Sequence, residues 1–209
     1  DLKLSRGLGD VYKRQMPQGV IVQAPNDPTT DAFVAGPAVD PDTDAADVVS
    51  LFSDAYTSAL NGVGKTDWSD SGDVTEITVD GNTFKKFDTT TFAGLEPAST
   101  IDATGMDTLS ISLYRTASSD FEVQLVDYGT DDLWGAANSA DPNVVGLYYI
   151  PAAAMPVDQW VTVDIPFADL VAGGLSTSAN IGQVILKPMG GAETFYMDDC
   201  LLYTSDAAD

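Results

Sequence analysis

The chain has 209 residues with nine Lys and Arg against 32 Asp and Glu, and it has no histidine, for a net charge of −23. So acidic a chain is a very poor partner for nucleic acid, whose affinity for proteins comes from neutralised phosphates. No apolar run approaches the roughly 20 residues that span a bilayer, so no membrane insertion is expected.

The two ends stand apart from the rest. Residues 5–15, SRGLGDVYKRQ, resemble an in-frame translation of a transposon-type sequencing adaptor, and residues 200–209, CLLYTSDAAD, resemble the same adaptor on the opposite strand. Residues 1–15 and 200–209 are therefore read as artefact and set aside, which leaves 16–199 as a metagenomic fragment. Its bases are Lys65, Lys85, Lys86, Arg115 and Lys187, and Cys200 is gone with the adaptor. Disulfide, zinc-thiolate and Ser/His/Asp chemistries then lack their raw material. An acidic, self-repelling surface suits a saline extracellular setting, where salt screens charge within roughly 8 Å. Plain solubility is the alternative reading.

In chain order, the stretch 19–22, GVIV, reads as the last strand of an upstream neighbour. Residues 16–46 are dominated by Pro, Asp, Thr and Ala and read as an acidic linker, since they hold too little apolar surface to offset their ordering entropy. From residue 47 short apolar runs alternate with Gly, Asn, Asp and Pro, as in antiparallel all-β domains. Strands are expected at 48–52, 75–79 and 83–87, the last two joined by a hairpin at Asp80-Gly81-Asn82. Further strands follow at 108–114, 121–126, 144–150, 160–165, 181–188 and 193–199, with one short helix at 167–172. Alternation at 108–114 and 121–126 predicts one buried and one wet face. The sum is an all-β, antiparallel two-sheet sandwich of jelly-roll type.

An ordered set of motifs then points to a family: DVVSLFSDAYT from Asp47, Asp67-Trp68, Lys85-Lys86-Phe87, FAGLE from Phe92, IDATGM from Ile101, VQLVDYG from Val123, WVTVDIP from Trp160 and YMDD from Tyr196. The region 47–199 resembles the galactose-binding-like β-sandwich modules appended to secreted bacterial glycoside hydrolases and polysaccharide lyases. The resemblance implies a noncatalytic role in binding polysaccharide, an upstream catalytic domain in the same full-length chain, and an extracellular location. It also implies a Val/Ile-Tyr-Phe ending after Asp199, so the last strand is expected to be truncated. Asp54 and Asp198 match the carboxylates that hold a structural calcium in related sandwiches.

Sugars are bound by flat aromatic faces flanked by planar polar groups. Trp68, in a polar loop, either stacks on a ligand or plugs the end of the sandwich, and Trp134, beside Tyr128, is equally open. Trp160 begins a strand and is expected in the core. Glu122 and Gln124 share one strand face, a solvated or sugar-binding surface. Lys86 and Glu96 are expected to form a structural pair first and a hydroxyl-binding pair second. The acidic groups at Asp40, Asp42 and Asp44, at Asp67, Asp70 and Asp73, and at Asp131, Asp132 and Asp141 lack the full EF-hand pattern and read as solvated surface. Two other functions remain open: a calcium-stabilised spacer or adhesin domain, and a glycosidase built from carboxylates alone, which needs two acids about 5 to 9 Å apart.

Overall fold

The computed structural model describes residues 20–22, 41, 43–79, 81–134 and 143–204. The expected artefact at 1–15, most of the 16–46 linker, Asp40, Asp42 and Asp141 lie outside them. Among the described residues twelve strands form two antiparallel sheets: β1 (Val20–Val22), β2 (Val48–Phe52), β3 (Leu60–Lys65), β4 (Val74–Val79), β5 (Asn82–Thr90), β6 (Ala93–Pro97), β7 (Thr108–Arg115), β8 (Phe121–Asp127), β9 (Val144–Ile150), β10 (Trp160–Pro166), β11 (Ile181–Pro188) and β12 (Glu193–Tyr203). The larger sheet runs β1-β10-β7-β12-β5-β4, with β2 also paired to β12, and the smaller runs β3-β6-β11-β8-β9. A helix, α1 (Phe167–Ala172), occupies the span expected for it.

Period-two alternation explains the core between the sheets. Leu109, Ile111 and Leu113 of β7 face Val123 and Leu125 of β8 and Val184 and Leu186 of β11 within one buried cluster. The β4–β5 hairpin turns as predicted, with Val79 opposite Asn82 and Gly81 at φ 95°, a conformation that costs glycine little.

Three expectations are corrected. Val20–Val22 does not belong to a neighbour: it pairs with Val161–Val163 at the edge of the larger sheet. The last strand is not cut at residue 199. It continues to Tyr203, with Cys200, Leu201 and Leu202 buried and Cys200 opposite Phe52, because this apolar run supplies the side chains the sandwich needs there. Nor does β7 have a wet face. It lies between β10 and β12, and its outer side chains are covered by their neighbours: Ser112 Oγ lies 2.8 Å from Thr162 Oγ1, Ser110 donates to Asp164 at 2.6 Å, and Tyr114 sits among aromatic rings. On β8, Glu122 and Val126 are likewise buried.

The buried cations are partnered, as a low-dielectric interior requires. Arg115 forms a two-pronged pair with Glu193, its Nε 2.9 Å from Oε1. Lys85 donates to Glu76 at 2.8 Å and stands 4.4 Å from the Phe52 ring centre.

Candidate functional site: the outer face of the smaller sheet

Residues of the smaller sheet that point away from the core converge on one surface. Ala93 and Leu95 are in the core, so Gly94 between them faces outward, and Trp68 lies across it: a Cβ on Gly94 would come within 2.2 Å of the indole. The loop that carries Trp68 is fixed by Ser69, whose Oγ accepts from Gly94 N at 2.9 Å and shares a 2.8 Å hydrogen bond with Thr66. The indole stacks on Phe92 at 6.0 Å and 23° and remains 43% exposed. Gly182 plays the same part for Tyr128, whose ring covers it at 2.3 Å from an added Cβ. In both cases the missing side chain lets an aromatic ring lie close against the sheet.

Two carboxylate-centred clusters accompany these rings. In the first, Glu122 stands level with Lys187 on β11 and Tyr149 on β9. It accepts from Gln124 Nε2 at 2.5 Å, lies 3.6 Å from Lys187 Nζ, and shares a hydrogen bond with Tyr149 that raises the tyrosine's pKa. Tyr149 is 54% exposed. In the second, Glu96 Oε1 accepts from Tyr128 at 2.9 Å and from Gln183 Nε2 at 2.6 Å. Burial, then the Glu96 bond, pushes the Tyr128 hydroxyl well above its ordinary value, so it stays a donor. The Tyr128 ring supports Trp134, tilted at 6.2 Å and 56% exposed. Gln183 Oε1, buried beside this cluster, accepts no hydrogen bond among the described residues.

Of the sugar-binding candidates, Trp68, Tyr128, Glu122, Gln124 and Trp134 are thus brought together. Lys86 is not: it lies on β5 of the other sheet, 3.5 Å from Asp88, so the expected pair with Glu96 does not form. Trp160 is buried, as expected, though on the outer side of the larger sheet with Phe84, Tyr114 and Tyr196. Sequence reasoning missed Tyr149, Lys187 and Gln183. The alternation along 144–150 and 181–188 carried the signal, since it sets these three opposite core residues.

Asp54 and Asp198 also meet, with Asp199 as a third member, and one carboxylate oxygen from each lies within 4.8 Å of the others. Asn82 Nδ2 and Thr83 N each donate to Asp54 at 3.0 Å, and Ser53 Oγ donates to Asp199 at 2.7 Å. Burial, then the neighbouring Asp199 charge, pushes the Asp198 pKa up to about 8.

No protein-family model matches the sequence, and no curated protein matches it. Solved structures do. A family 30 carbohydrate-binding module superimposes with a TM-score of 0.56 at 15% identity, over 75% of this chain and 87% of that one. The family 30 module of the cellulosomal cellulase Cel9D-Cel44B of Clostridium thermocellum gives 0.51 at 16% identity, over 76% and 98%. The fold is that of the β-sandwich carbohydrate-binding modules, as the resemblance implied.

Proposed function

We propose that the chain is a noncatalytic carbohydrate-binding module and that the outer face of the smaller sheet is its sugar platform. The observation that carries this is the gathering of Trp68, Tyr149 and Trp134, each at least 43% exposed, on one face beside Glu96, Glu122 and Gln124. Exposed rings offer flat apolar surfaces to pyranose C–H groups, and carboxylates and amides satisfy the hydroxyls around them. The fold shared with carbohydrate-binding modules supports the same reading. In its full-length setting the module would hold a secreted polysaccharide-degrading enzyme on its glycan. One such module binds weakly, at about 1 mM to 1 μM, and tethering makes weak affinity useful. Affinity electrophoresis of the whole chain through gels with laminarin, xylan, agarose or alginate tests it. Retardation by one polymer supports it, and uniform mobility of a folded sample favours the spacer reading.

We further propose that Asp54 and Asp198, joined by Asp199, hold a structural calcium. Three carboxylates crowded together, one of them fully buried, are the hard oxygen donors that ion prefers. The ion would tie the end of β2 to the middle of β12. A melting temperature unmoved by chelator would contradict this.

A further inference from the structure

Resting on that reading of the face, we propose that it selects uncharged glycans and rejects those bearing carboxylate or sulfate groups. Its polar atoms are organised around two acids. Glu122 lies at one end of the β8 row and Glu96 sits level with Gln183 and Val126, about 13 Å further along the strand direction. The amide nitrogens of Gln124 and Gln183 each donate to one of these carboxylates.

The only lysine on the outer face of this sheet among the described residues outside the β3 edge is Lys187, and Glu122 neutralises it at 3.6 Å. Lys65, on β3, turns its ammonium to the carbonyls of Ser71 and Gly72 at 3.3 and 3.1 Å. Asp67 and Asp70 flank Trp68 in the chain, and Asp131 and Asp132 precede Trp134. Each exposed indole is therefore accompanied by acids within two or three residues of the chain. A neutral sugar hydroxyl donates to a carboxylate and gains a charge-assisted bond. A uronate or sulfate has no proton to give and meets fixed charge of its own sign.

The test compares polymers matched in backbone: hydroxyethyl with carboxymethyl cellulose, laminarin with its sulfate, and agarose with chemically sulfated agarose. The full chain is run by affinity electrophoresis, then titrated calorimetrically at low and high salt. The expected result is binding to a neutral polymer and at least about tenfold weaker binding to its charged counterpart, the gap narrowing as salt screens it. Asp67→Lys, at an exposed position, should raise affinity for the charged polymer with an unchanged melting temperature. Equal binding of both partners of a pair, or preference for the charged one, overturns the selectivity and leaves the platform standing. If no polymer of either kind binds the folded chain, the carbohydrate reading falls and this inference with it.

Discussion

On the larger sheet Phe84, Tyr114, Trp160 and Tyr196 pack edge to face at 5.5 to 6.0 Å and none is more than 6% exposed, whereas on the smaller sheet Trp68, Tyr149 and Trp134 are 43 to 56% exposed. Both groups sit on outer faces, so residue type and side of the sheet do not separate them. Their neighbours do. Tyr114 lies directly opposite both Trp160 and Tyr196 in the ladder, so the rings bury one another, and Ile77 packs on their flank. On the smaller sheet the rings come from two loops and one strand and are spaced apart: Trp68 is seated on Gly94, Trp134 rests on the Tyr128 ring, and Tyr149 is hydrogen-bonded to Glu122. The first arrangement stabilises a fold, and the second leaves ring faces available to a ligand.

Substitutions should separate the two faces. The largest effect is expected from Trp160→Ala, which empties a packed site and should cost about 3–5 kcal/mol of stability in denaturant titration, with glycan affinity of the folded fraction unchanged.

The next effect comes from the acidic cluster on the larger sheet. Without a cation, the folded Asp198 pKa of about 8 exceeds its ordinary 3.8, so the folded chain holds a proton that the unfolded chain releases. That contribution to stability is fully present below about pH 4 and is lost as pH rises through about 8. In chelator, melting temperature should fall between pH 5 and 8, and calcium should restore it at pH 8. A melting temperature that rises with pH in chelator would contradict the assignment.

A subtler change sharpens the comparison from the smaller sheet. In Gly94→Ala the new methyl would meet the Trp68 ring, so the indole must shift while the core behind it is untouched. Affinity should fall severalfold and stability by less than about 1 kcal/mol. Equal affinity for Gly94→Ala and the parent would show that the seat of Trp68 does not matter to binding.

Much of this was legible in the sequence because alternation and turn chemistry are local. The strands at 48–52 and 144–150, the hairpin at Gly81 and helix α1 occupy the expected spans. Strand β3, LNGVGK, was not foreseen, because Gly62 and Gly64 break its apolar pattern and its pairing with β6 is long-range. The exposure of β7 failed for a related reason: Ser110 and Ser112 look solvated until β10 and β12 close over them. At the site, Glu122 and Gln124 were legible as neighbours on one strand, but their company with Tyr149 and Lys187 is set by register across three strands. Lys86 was misjoined to Glu96 because motif order does not reveal which sheet a strand enters. The final strand was expected to end at Asp199 because the source of residues 200–203, not their apolar character, guided the expectation.

The central claim, that one outer face binds sugar and the other does not, is tested most directly by affinity electrophoresis of the parent chain beside Trp68→Ala, Tyr149→Ala and Lys86→Ala, all confirmed folded. The account predicts a parent retarded by at least one polysaccharide, retardation weakened about tenfold or more by each aromatic change, and none lost on replacing Lys86, which stands on the opposite sheet. Retardation that survives both aromatic changes and disappears with Lys86→Ala would move the binding surface to the larger sheet and contradict the account.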